Sequence, residues 1–158
     1  YDLSDYDHVL FSYHGLPIRH VDKVYEEGLC TDRECEHEVT TENQYCYKAS
    51  CFATTRLLAD KLKLGEADYT VCCQSRLDKN GLEPFSDKVV ETLAKQGAKK
   101  LLVLSPAFTA DCLETVVEIG DEYQQIFIEN GGEKIQLVES LNDHPLWVNC
   151  LKKIVLDS

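Results

Sequence analysis

Apolar positions fall into short runs, and the runs are of two kinds. Asp7–Ser12 (DHVLFS), Tyr69–Cys73 (YTVCC), Lys100–Ser105 (KLLVLS) and Lys134–Glu139 (KIQLVE) are rich in β-branched and large apolar residues and have the length of buried strands. Between them lie segments with helical spacing. Ser50 or a neighbour can cap a helix running to Leu64, with Leu58 and Leu62 one turn apart and Gly65 as its stop. Ser86 or Asp87 can cap a second, carrying Val89, Val90, Leu93 and Ala94 and ended by Gly97. Thr109 can cap a long third helix ending at Gly131-Gly132. Pro145 opens a last helix in its first turn, with Trp147, Leu151 and Ile154 on one side. Residues 18–45 are polar and acidic and show no period.

Strands alternating with helices predict an α/β fold: a parallel four-stranded sheet with helices on both faces, joined by right-handed crossovers. Ligands of such sheets bind beyond the carboxyl ends of the strands. That rule selects the loops His14–Pro17, Gln74–Pro84, Pro106–Asp111 and Leu141–His144. Neither a Gly-x-Gly-x-x-Gly nor a Walker pattern is present, so a nucleotide site has no support in the sequence.

The 158 residues suit one domain, 1–158, and the net charge of −12 argues against non-specific binding to nucleic acid or to an anionic membrane surface. No apolar run approaches the roughly 20 residues of a spanning helix. Methionine is absent and the chain begins at Tyr1, which leads us to expect a piece of a longer protein; no signal peptide is visible. Free thiols and an acidic surface fit a bacterial cytoplasm.

Three constellations carry chemistry. His14 sits just past the first strand, where an imidazole can take a proton or a metal. Alone, a His beside Gly and Pro is more often a hydrogen-bonded loop residue. Glu114, Glu118 and Glu122, spaced i, i+4, i+8, stack three carboxylates on one helix face, a repulsive arrangement whose usual fate is a solvated surface. Its location weighs the other way, because Glu114 starts from the same sheet edge as His14. A row of carboxylates leading to an imidazole suits a divalent cation such as Fe²⁺ or Zn²⁺, or protons. Finally, Cys30, Cys35, Cys46 and Cys51 lie within 22 residues with His37 among them, inside a cysteine-rich insert at 26–51. Thiolates select zinc or an iron–sulfur cluster. Disulfides and unconnected surface thiols are the alternatives, and a polar segment with little else to order it favours a metal. Cys72, Cys73, Cys112 and Cys150 read instead as small buried hydrophobes.

FSYHGLPIRHVDKVY, CQSRLDKNGLEPFSDK and LSPAFTADCLETVVEI, in this order, resemble the carboxyl-terminal half of ferrochelatase, from Leu10 to about Val155. The resemblance implies a lyase of haem biosynthesis that inserts Fe²⁺ into a porphyrin and releases two protons. It implies a chelatase-type, Rossmann-like domain, the second of two facing each other across a porphyrin cleft, and therefore a chain inactive without its amino-terminal partner. The family's active-site histidine falls on His14 and its glutamate on Glu114; its acidic row, which lies on a helix that often includes a π-turn and is thought to conduct metal or protons, falls on Glu118 and Glu122. The run ending CYKASCFATTR resembles that of bacterial members with a 2Fe–2S cluster, which implies Cys30, Cys35, Cys46 and Cys51 as its ligands. The sequence leaves open protoporphyrin IX against coproporphyrin, homodimerisation, and peripheral membrane contact through apolar surface. The competing readings are another tetrapyrrole chelatase, such as a cobalt chelatase, and a small iron–sulfur or zinc-binding module.

Overall fold

A computed structural model describes residues 1–26, 30, 34–75 and 80–157. Four parallel strands, β1 (His8–His14), β2 (Tyr69–Gln74), β3 (Lys100–Leu104) and β4 (Lys134–Leu137), form one sheet in the order β2-β1-β3-β4. Strand β1 is central, pairing His14 with Gln74 on one side and Phe11 with Leu104 on the other. Side chains alternate between the two faces, as strand geometry requires. Leu10, Leu101 and Val103 pack on α3 (Ser86–Lys95) and on the helix after β3, around Val90, Ile119 and Phe127. Val9, Phe11, Tyr13 and Leu102 pack on the opposite face against Cys51, Leu58 and Leu62 of α2 (Tyr47–Leu62). Because both faces are covered, the strands read as apolar runs in the sequence.

Several helix ends differ from expectation, each for a local reason. Helix α2 begins at Tyr47 with Cys46 in the capping position, because the Ser50 hydroxyl bonds back to the Cys46 carbonyl instead of capping. It stops at Lys63, which takes the left-handed conformation at φ 59°, ahead of Gly65. Phe85 rather than Ser86 or Asp87 precedes α3, and the buried Ser86 hydroxyl pairs with Ser12 at 2.8 Å. Gly97 does end α3, at φ 102°.

Thr109 caps nothing; its carbonyl accepts from Asn142. The helix after β3 starts later, where Thr115 takes the cap's work by accepting the Cys112 N–H at 3.0 Å. Its first ten residues, Glu114–Tyr123, form a π-helix that runs into α4 (Gln124–Glu129).

A short α1 (Ile18–Val21) follows β1 and leads to the cysteine-rich segment. Helix α5 (Pro145–Leu156) opens at Pro145 as expected but buries no residue; Leu151 and Ile154 of its expected apolar side are exposed, and so is Cys150. Cys72 and Cys73 are buried as expected, and Cys112 is half-buried. No helix among the described residues is long and apolar enough to cross a membrane.

Candidate functional site

The strand ends gather three of the four sequence-selected loops around His14. The His14–Pro17 turn is pinned on both sides. Gly15 donates to the Gln74 carbonyl at 2.6 Å, Ile18 to that of Asn80 at 2.9 Å, and Leu82 to that of Leu16 at 2.9 Å. Residues 76–79 of the Gln74–Pro84 loop, with Arg76 of the CQSR motif, lie outside the described residues. The half-buried His14 ring meets Phe108 edge-on, with centroids 6.3 Å apart. Phe108 in turn walls a mainly apolar hollow of about 280 Å³ with Leu58, Leu104, Val138 and Leu141.

Glu114 opens the π-helix on the His14 side. Its carboxyl is held below the ordinary carboxylate range by its own backbone N–H, then by Cys112, then by the His14 imidazole. It is therefore an anion at neutral pH and lies within electrostatic reach of the histidine.

In a π-helix the turn closes at i+5, not i+4. Glu118 therefore neighbours Tyr123, whose hydroxyl donates to it at 2.6 Å. The same carboxylate accepts the Ser75 N–H at 2.8 Å and the Ser75 hydroxyl. Burial, this hydrogen bond and the adjacent carboxylate all push the Tyr123 phenol up, so it stays a donor. Glu118 and the exposed Glu122 line a cavity of about 270 Å³ with Ser75 and Asp87.

Sequence reasoning assigned no role to Gln74, which links the whole edge. Buried on β2, it accepts from Ser12 of β1 at 2.7 Å and donates to the Glu114 carbonyl at 2.5 Å. A lone glutamine ending an apolar strand was the available signal, since a buried amide must find partners.

The second centre lies in the insert, where residues 27–29 and 31–33 are outside the described residues. The sulfurs of Cys30, Cys35 and Cys46 lie within 4.8 Å of one another, all buried and all free thiols. Each is held by a separate device. The Cys30 N–H donates to Asp22 Oδ1 at 2.7 Å. Cys35 Sγ lies 3.0 Å from the Tyr25 hydroxyl. Cys46 heads α2, fixed by its N–H to the Asn43 carbonyl at 2.8 Å. Burial pushes the Cys30 thiol up to about 11.

Cys51 is not one of these three. Five residues after Cys46, it is buried among Phe11 and Tyr13 yet within electrostatic reach of Cys46, and burial pushes its thiol up to about 12. His37 is exposed and outside the sulfur group. Three converging buried sulfurs fit a thiophilic ion better than any hard cation, and with Cys51 they make the four thiols that an iron–sulfur cluster takes.

A family profile described as ferrochelatase matches residues 2–158. Among curated relatives, a protein named ferrochelatase from Coxiella burnetii is 44% identical over 154 residues, covering 96% of this chain and 44% of that protein. One of the same name from Pseudomonas putida is 44% identical over 153 residues, covering 94% of this chain and 45% of its own. One from Ectopseudomonas mendocina is 45% identical over 150 residues, covering 93% and 44%. The chain thus spans a little under half the length of these relatives.

Proposed function

Because the chain belongs to the ferrochelatase family, we propose that it is the part of a porphyrin-metalating enzyme of haem biosynthesis that carries His14 and Glu114. The observation behind this reading is their juxtaposition: an imidazole ending the central strand, coupled to a carboxylate opening a π-helix, beside an apolar hollow. Fe²⁺ and a porphyrin are the substrates, protoporphyrin IX or coproporphyrin.

Insertion requires two pyrrole N–H protons to leave as the four nitrogens take the metal. A neutral His14 can accept one of them through a ring nitrogen. The Glu114 carboxylate stabilises the imidazolium so formed, in a half-buried site where a charge counts for more than in water. The apolar wall with Phe108 and Leu104 takes a flat, greasy ring, and binding there can supply the strain that exposes the ring's lone pairs. Glu122 and Glu118, lining one cavity behind Glu114, offer the route for protons or for the incoming ion, with Glu118 fixed by Ser75 and Tyr123.

Cys30, Cys35 and Cys46 would hold a resident centre, with Cys51 as the fourth thiolate that a 2Fe–2S cluster needs; the cluster would supply a one-electron couple, and zinc in its place a cross-link. The remainder of the enzyme, in this reading, is an amino-terminal portion that closes the porphyrin site.

The deciding experiment is iron insertion by the full-length protein. His14→Ala and Glu114→Ala should each cut turnover by at least about a hundredfold without lowering the melting temperature. Near-normal turnover in either variant overturns the assignment. A preference for cobalt over iron in the same assay would select the cobalt chelatase reading.

A further inference from the structure

Three thiolates around a divalent ion leave one surplus negative charge in a buried site, and such a charge is costly unless donors answer it. Two groups in the structure do. Lys48, paired with Glu36 at 2.5 Å, lies close enough for its charge to act on Cys30 and Cys35. The other is Tyr25. Its ring is buried with all three cysteines, and its hydroxyl lies 3.0 Å from Cys35 Sγ.

In the metal-free thiol either atom can donate. A thiolate carries no hydrogen, so once an ion is held the Tyr25 O–H must be the donor. The phenol is also placed in advance. The Tyr25 backbone N–H donates to the Asp22 carbonyl at 3.1 Å, and the Asp22 carboxylate takes the Cys30 N–H. One turn of chain thus fixes a ligand and the donor together.

We infer that the Tyr25 hydroxyl is the hydrogen-bond donor to the bound sulfur of Cys35 at the centre built on Cys30, Cys35 and Cys46, and sets how tightly that centre holds its ion. Tyr25 is a positioning residue, not a ligand. The inference rests on the metal reading of the thiols under Proposed function.

The test is cobalt(II) titration of the reduced, metal-free chain against a competing chelator, followed by thiolate-to-cobalt charge-transfer absorption. The unmodified chain should bind one cobalt. Tyr25→Phe should keep the same absorption per bound cobalt but bind about ten- to a hundredfold more weakly, the usual effect of removing an outer-shell partner.

Equal affinity in Tyr25→Phe overturns the role of Tyr25. An unmodified chain that binds no cobalt overturns the metal reading itself, a distinct result. Should Tyr25→Phe not fold, proton NMR of the unmodified, zinc-loaded chain decides. A hydroxyl bonded to sulfur gives a slowly exchanging resonance, and its absence overturns the inference.

Discussion

Two glutamates four residues apart do different work. Glu114 bonds within its own turn and feels His14, whereas Glu118 satisfies a buried tyrosine and the end of a strand. Removing the Glu118 carboxylate orphans the Tyr123 hydroxyl, and an unmade buried hydrogen bond costs about 1–3 kcal/mol. Glu118→Ala should therefore lower the melting temperature by several degrees in a thermal scan, while Glu114→Ala leaves it unchanged. If both melt like the parent, the Ser75–Glu118–Tyr123 network holds nothing. Asp7 gives a residue-scale test in pH. Its carboxylate accepts the N–H groups of Lys99 and Lys100 at 2.7 and 2.9 Å, ahead of β3, and these hold it below the ordinary range. A depressed carboxylate stabilises the fold above its unfolded value near pH 4 and loses that contribution as pH falls through the folded one. Asp7 is exposed, so solvent screening leaves on the order of 0.5–1 kcal/mol. Urea melts should show Asp7→Asn weaker than the parent at pH 7 and equal to it near pH 2.

At the scale of elements, the strands were legible because a sheet covered on both faces leaves its mark in composition: DHVLFS and KLLVLS have almost no other way to be buried. The edge they build was legible too, since His14 and Glu114 follow from topology. The π-helix was legible only through the resemblance. Apolar spacing near four residues fits an α-helix as well as a wider turn, and the difference lies in what Thr115, Gln74 and Glu118 bond to across the chain. The cysteine group was legible in part: even spacing marks four thiols, and the fold draws three of them together while Cys51 packs toward Phe11 within electrostatic reach of Cys46. The end of this helical stretch supports a sharper test. Gly132 follows α4, and a methyl group there would overlap the ring of Phe127, which is fully buried in the core. The ring has no free space to move into, so Gly132→Ala should cost about 1–3 kcal/mol, as overpacking does. Gly120→Ala, whose added carbon would meet only the Thr115 carbonyl at 4.0 Å, is the control and should not destabilise. Equal melting temperatures for the two variants would mean that the α4–β4 turn yields more easily than its packing indicates.

For the whole molecule, what matters is how much of the proposed porphyrin site this sheet edge can enclose. The hollow beside His14 is about 280 Å³ and open on one side, just below the roughly 300–1,000 Å³ of pockets that bury most of a drug-sized ligand. It offers one wall to a flat ring and none to the opposite face. Strain on a macrocycle needs contact on both faces, because a ring pressed from one side simply moves away. The apolar surface points the same way. Leu113 capping the π-helix, Val116 and Val117 on it, and Leu146, Ile154 and Val155 on α5 are exposed, more than a surface carrying a net charge of −12 would leave bare without a cover. The matched relatives are more than twice as long as this chain, so a cover and a second wall from the same polypeptide are the economical expectation. The 158 residues alone should then quench porphyrin fluorescence weakly and insert no iron above the uncatalysed rate, whereas a polypeptide of the relatives' full length should turn over. Hydrogen exchange should report the same closure: α5 amides exchanging rapidly in the short chain and protected in the long one. Iron insertion by the short chain at the full-length rate would show that one wall suffices. Catalysis would then have to come from His14 and Glu114 without ring distortion.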